Sequence, residues 1–184
     1  MILVYGDSIS AGYGLAPEQG WVNRLADRLR QEGYGFQVVN ASVSGETTTG
    51  GLARLPRALA LHEPRIVIIE LGGNDGLRGL PLATTRANLD AMLRLARGPG
   101  RKLLLLGMRM PPNYGERYTS GFAAAYPELA RLHRVALVPF LLEGIAGNPA
   151  LMQADGIHPN ERGQPVLLDN VWQVLRPLLG AQHR

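Results

Sequence analysis

The chain contains no cysteine, which excludes disulfides, thiolate metal sites and a cysteine nucleophile and fits an oxidising or a reducing compartment equally. Lysine is almost as scarce. Lys102 is the only one, so the formal charge of +4 rests on arginine. Those arginines (Arg24, Arg54, Arg86, Arg131 and Arg176 among them) are scattered rather than clustered. Nothing in that pattern tracks a phosphate backbone, and no nucleic-acid partner is expected. A mild attraction for anionic substrates or lipid surfaces is all the charge implies. Long apolar runs are missing too: none reaches the roughly 18–20 residues that span a bilayer, so no stable membrane anchor is expected. A strand-like segment already starts at Ile2. That leaves no room for a charged n-region and an apolar h-region, so an exported form would have lost its signal peptide.

What is present is ordinary globular material: 184 residues, 46% apolar and 18% charged, enough for one domain over 1–184 with one core. Short β-branched and apolar runs recur at Ile2–Tyr5, Phe36–Val39, Ile66–Leu71, Lys102–Met108 and Ala136–Pro139. Their unbroken apolar character predicts strands buried on both faces, as in a parallel sheet. Amphipathic stretches lie between them. In Trp21–Gln31, residues Trp21, Val22, Leu25, Ala26 and Leu29 form one stripe at i, i+1, i+4, i+5 and i+8. Leu82–Ala96 and Phe122–Leu132 read similarly, with Pro127 expected to kink or restart the latter. Asn160 is placed to cap a last helix running to Leu179, with Pro165 in its first turn. The β-α alternation predicts a doubly wound three-layer α/β domain, whose ligands sit beyond the carboxyl ends of the strands.

The polar, glycine-rich segments all follow predicted strands: Gly6-Asp7-Ser8-Ile9-Ser10, Asn40 to Glu46, Gly72-Gly73-Asn74-Asp75-Gly76, and, after a loop, Asp155-Gly156-Ile157-His158-Pro159. They therefore converge on one sheet edge. Acyl transfer by a nucleophile needs a hydroxyl beside a base, an acid that orients the base, and donors for the developing oxyanion. Ser8 follows the first strand, where a helix N-terminus would favour negative charge. His158 is a suitable base, and Asp155, three residues earlier, can reach one ring nitrogen while the other faces the serine. Gly45 N–H, Ser8 N–H and the Asn74 amide make three candidate oxyanion donors. Each piece alone has a plainer reading as a helix cap, a turn residue, a loop histidine or a flexible glycine. No phosphate-binding glycine motif and no three-ligand metal set is present. His62, His133 and His183 offer less, lying at a polar helix end, among charges and in the tail.

Taken in order, Gly6-Asp7-Ser8, Gly45, Gly72-Gly73-Asn74-Asp75 and Asp155-Gly156-Ile157-His158-Pro159 resemble the four sequence blocks of the SGNH (GDSL) hydrolases. The text between the blocks resembles the bacterial acyl-CoA thioesterase I, lysophospholipase and arylesterase subgroup. It does so at Gly51-Leu52-Ala53-Arg54-Leu55-Pro56, Leu77-Arg78-Gly79, Pro112-Asn113-Tyr114-Gly115 and Met152-Gln153-Ala154. The resemblance spans roughly residues 2–179. It implies a flavodoxin-like three-layer α/β/α fold with a five-stranded parallel sheet, and ester and thioester hydrolysis without metal or organic cofactor. It also implies a periplasmic or secreted location, the cytoplasm being the alternative, and a small-molecule acyl substrate; a monomer is expected, although no pattern in the sequence marks or excludes an interface. Ser8 would be nucleophile, His158 base, Asp155 its orienter, and Gly45 and Asn74 oxyanion donors.

Asp7, Gly73, Asp75, Leu77 and Ile157 from the motif loops, with Arg109, Met110, Pro111 and Tyr114 after the fourth strand, are the expected substrate-binding residues. Met and Leu side chains there would suit an adaptable acyl groove. The segment 75–80 reads equally as a flap over the acyl chain or as an ordinary turn. Two rival functions stay open at this stage: a carbohydrate O-acetyl esterase of the same fold, and a non-catalytic acyl-ligand-binding module. Aromatics at only 6% count weakly against stacking of sugar rings.

Overall fold

A computed structural model describes residues 1–180; the tail carrying His183 lies outside the described residues. Five strands form one parallel sheet: β1 (Ile2–Gly6), β2 (Val38–Asn40), β3 (Ile66–Glu70), β4 (Lys102–Leu106) and β5 (Ala136–Val138), in the order β2-β1-β3-β4-β5. This is the flavodoxin-like order. The central strands β1 and β3 are buried along their whole length, as their continuous apolar runs require. Strand bounds differ from expectation at the edges. Phe36 and Gln37 precede β2, and β4 stops at Leu106, although the Gly107 N–H still donates to Val138 O on β5.

Among the described residues seven α-helices flank the sheet: α1 (Ser8–Ala11), α2 (Trp21–Gln31), α3 (Thr48–His62), α4 (Gly73–Leu77), α5 (Leu82–Ala96), α6 (Glu116–His133) and α7 (Gln164–Leu179). Helices α2 and α7 pack together, while α3, α5 and α6 pack in succession, giving the two outer layers. The stripe read in α2 is the buried one: Trp21, Val22, Leu25 and Leu29 are all in the core.

Three helical features depart from expectation. Helix α3 carried no clear period, because Gly50, Gly51 and Pro56 interrupt its apolar face. Gly51 is nevertheless required there, since its carbonyl accepts from Tyr5 Oη at 2.7 Å and an added Cβ would strike Leu71. Helix α6 starts six residues before Phe122 and is continuous through Pro127. Packing of Phe122, Tyr126 and Leu129 outweighs the missing N–H there. Finally, Asn160 does cap, but the cap opens a single 3₁₀ turn (Glu161–Gly163) that then runs into α7.

Candidate active site

Because all five strands are parallel, their carboxyl ends share one edge, and the residues singled out by sequence meet there. Ser8 is the first residue of α1, immediately after β1. Its Oγ lies 2.8 Å from His158 Nε2, and His158 Nδ1 lies 2.6 Å from Asp155 Oδ2. The other Asp155 oxygen accepts the N–H groups of Ile157 (2.9 Å) and His158 (3.0 Å). Gly156, at φ +67°, permits this tight turn.

The loop between β5 and α7 is fixed from several sides. Gln153 N–H donates to His158 O at 2.7 Å, and the Gln153 amide donates to Tyr13 O and Pro159 O. Gln164 joins the loop to α2: its amide donates to Pro159 O while its Oε1 accepts from Trp21 N–H. Tyr13 stacks on the His158 ring at 4.6 Å between centroids.

Burial alone raises the Asp155 carboxyl. The hydrogen bonds from the His158 ring and from the His158 and Ile157 backbone outweigh it and hold the group at about 2. Asp155 is therefore charged at neutral pH and fixes a proton on Nδ1, leaving Nε2 as the acceptor that faces the serine hydroxyl.

Asp7 caps α1, accepting from Ile9 N–H at 3.0 Å, and also accepts from Asn74 Nδ2 at 3.2 Å. Burial pushes its carboxyl up to about 6, against the pull of the Ile9 N–H and the Glu70 side chain. The second Asn74 amide hydrogen goes to Glu46 O at 3.0 Å. Glu46 thereby acquires a role that sequence did not assign. Its carbonyl aims Asn74, and its carboxylate holds Arg54 at 2.6 Å. Gly45 sits at φ +79°, with its carbonyl bonded to Arg78 Nη2. Among the described residues neither the Ser8 nor the Gly45 N–H has an internal acceptor. Helix α1 is a single turn, so these N–H groups, rather than a macrodipole, supply the local positive potential.

A cleft of about 690 Å³ opens over Ser8 and His158. Of the expected substrate-binding residues Asp7, Gly73, Leu77, Arg109, Met110, Pro111 and Ile157 line it, and Asp75 and Tyr114 do not. Asp75 follows Asn74 in α4 and so points about 100° away from it. It is fully buried, accepting from Thr48 N–H at 2.8 Å and from the Thr85 hydroxyl. Tyr114 lies on a 3₁₀ turn and donates to Leu77 O, while Tyr118 donates to Leu80 O. Two tyrosines thus pin the segment 77–80, which is the C-terminal end of α4 and a turn rather than a free flap.

The cleft walls that sequence did not reveal are Met108, Phe140, Leu142, Ala146 and Met152. Most come from the irregular stretch after β5, where no periodicity marks a buried side. Among the described residues no group of three or more His, Cys, Asp or Glu side chains converges as a metal-ligand set would. No described helix is long and apolar enough to cross a membrane.

Residues 4–166 match the GDSL-like lipase/acylhydrolase family model, and the chain belongs to that family of hydrolases. It is 56% identical to esterase TesA of Pseudomonas aeruginosa over 178 residues, covering 97% of this chain and 89% of that one. It is 44% identical to thioesterase 1/protease 1/lysophospholipase L1 of Escherichia coli K12, over 97% of this chain and 84% of that one. The crystal structure of the psychrotrophic esterase EstA from a Pseudoalteromonas species, inhibited by monoethylphosphonate, superposes with a TM-score of 0.92 at 39% identity and covers 98% of each chain.

Proposed function

We propose that this esterase hydrolyses aryl esters, short- to medium-chain acyl esters and acyl thioesters, lysophospholipids included, through an acyl-enzyme on Ser8. The observation that carries the proposal is the unbroken hydrogen-bonded series Ser8–His158–Asp155 at the floor of an apolar cleft. Ser8 Oγ attacks the acyl carbonyl as its proton passes to His158 Nε2. Charge developing on the carbonyl oxygen is met by the Ser8 and Gly45 N–H groups and by the Asn74 amide. Both Asn74 hydrogens are engaged in the resting site. Its donation to the oxyanion is therefore a shared bond, or replaces the longer one to Asp7. His158 then gives its proton to the departing alcohol or thiol, and water repeats the sequence to release the acid.

Leu77, Met108, Met110, Leu142 and Ile157 on the walls favour an alkyl chain over a sugar ring, and so an acyl esterase over a carbohydrate deacetylase. Arg109, packed over Phe140 at 4.8 Å, puts a cation at the rim for substrates with anionic leaving groups. The whole chain, 1–184, acts as one domain, a monomer in solution without nucleic-acid partners, and the family resemblance supports a periplasmic or secreted location. Hydrolysis of a p-nitrophenyl ester series from acetate to palmitate by the parent and Ser8→Ala proteins tests the chemistry. Turnover confined to the parent, with organophosphonate attached to Ser8 by mass spectrometry, is the expected result; equal turnover by both removes the acyl-enzyme. Size-exclusion chromatography and cell fractionation test the state and the location.

A further inference from the structure

Beneath the nucleophile lies a second carboxyl that the reaction above does not use. Glu70, the last residue of β3, is fully buried. Its Oε2 accepts from Asp7 N–H at 3.2 Å and from Ser10 Oγ at 2.7 Å, while its Oε1 is buried without a partner. The side chain is packed so closely against β1 that a Cβ on Gly6 would stand 2.6 Å from Oε2. The Asp7 carboxyl, itself buried, belongs to the residue whose N–H Glu70 accepts, which makes the two acidic side chains neighbours.

Two adjacent buried carboxylates repel and are poorly solvated, whereas one proton between them turns that repulsion into a strong hydrogen bond. An unpartnered buried oxygen is costly as an acceptor with nothing to accept, and a proton on it removes the cost by making it a donor. The groups facing the pair are Ser10 from α1, Asp75 from α4, Tyr126 from α6 and His158 from the loop after β5. Asp7 accepts from the Ile9 N–H and the Asn74 amide and borders the open cleft, whereas Glu70 is fully buried with one oxygen unpartnered. The proton therefore belongs to Glu70 and the charge to Asp7. Burial first, and then the Asp7 charge, push the Glu70 carboxyl well above its ordinary range, in the same direction.

We infer that Glu70 is a protonated carboxylic acid at neutral pH, that it donates to the Asp7 carboxylate, and that the pair is the positioning unit for the Asn74 amide. Asp7 holds Asn74 from one side and the start of α1 from the other. Glu70 anchors that aspartate through both its backbone N–H and its side chain. The positioning role rests on Asn74 being an oxyanion donor, whereas the protonation does not.

The isosteric Glu70→Gln variant tests it. Glutamine keeps one acceptor oxygen and replaces the O–H donor with N–H, so turnover stays within about threefold of the parent. Infrared spectroscopy of the parent near neutral pH shows a protonated-carboxyl C=O band that is missing from the variant. A raised folded-state pKa means stability present at acid pH and lost as pH rises towards that pKa. The variant has no such loss, so its Tm relative to the parent rises as pH increases above about 4.5. Glu70→Leu, which cannot donate, loses more than about tenfold in kcat with KM little changed. Should that variant not fold, the infrared band and the glutamine variant still decide. The proposal is overturned by the absence of the band, by a Tm difference flat with pH, or by a folded but inactive Glu70→Gln. If instead Asn74→Ala left turnover unchanged, the oxyanion assignment would fail while the band and the Tm trend stood.

Discussion

Tyr13 covers His158. Its ring is tilted 39° to the imidazole with centroids 4.6 Å apart, although half of the tyrosine is open to solvent. The loop carrying it is tied to the histidine loop through the Gln153 amide on the Tyr13 carbonyl. An aromatic face there stabilises the imidazolium that exists only while Nε2 holds the serine proton. Tyr13→Leu keeps the apolar cover and removes the π face, so kcat should fall by about two- to tenfold. Tyr13→Phe should stay near the parent. Steady-state kinetics on one p-nitrophenyl ester distinguish the two; equal losses in both variants would point to the hydroxyl instead.

Removing the Asn74 amide should cost about a hundred- to a thousandfold in kcat, with KM little altered, as for a donor that acts on the transition state. Asp155→Asn leaves the turn in place but frees the wrong histidine tautomer, and a loss of about 10⁴-fold is expected. Ordinary KM and kcat measurements on both variants check this.

The pH dependence of stability has a definite sign at Asp155. Its folded-state value, about 2, lies below the usual carboxylate range. Its contribution is therefore present above the unfolded-state pKa and disappears as pH falls towards about 2. The stability gap between the parent and Asp155→Asn should shrink over that window and stay constant above about pH 5. Urea melts across the acid range would reveal the trend, and a gap growing towards low pH would contradict it.

Gly6→Ala tests the packing beneath the nucleophile. The new methyl would meet Glu70 Oε2 at 2.6 Å and Glu70 O at 2.9 Å. One of these contacts is main chain on a buried central strand and cannot swing aside. A loss of about 1–3 kcal/mol is expected from overpacking, measured by chemical denaturation, together with lowered activity as Asp7 shifts.

Leu142 lines the cleft from the irregular stretch after β5. Leu142→Trp should shorten the space for an acyl chain, leaving acetate and butyrate esters as substrates and suppressing the longer ones. The ratio of kcat/KM for long and short esters reads this directly.

The parallel core and the catalytic edge were legible in the sequence because both rest on local pattern. Apolar runs such as Ile66–Ile69 can only be strands covered on both faces, and short polar blocks directly after such strands must share an edge. Asp75 was legible as a motif residue but not as a buried one, since adjacency to Asn74 says nothing about facing. Helix α3 was hidden by glycines whose purpose, close approach to Tyr5 and Leu71, is a tertiary fact. Met108, Phe140 and Leu142 were hidden for a related reason. Residues that line a cleft from irregular backbone carry no period, and only the finished fold brings them to face Ser8.

Ser8 and His158 lie 150 positions apart in the chain, and the histidine loop is secured by Gln164 at the start of the closing helix, which reaches back to Trp21. During synthesis the nucleophile therefore emerges long before its base. A nascent polypeptide that has not yet reached His158 bears an inert serine, and competence for ester cleavage arrives only once the histidine loop has been made. An enzyme that attacks acyl bonds is thereby kept silent until α7 has docked and fixed that loop.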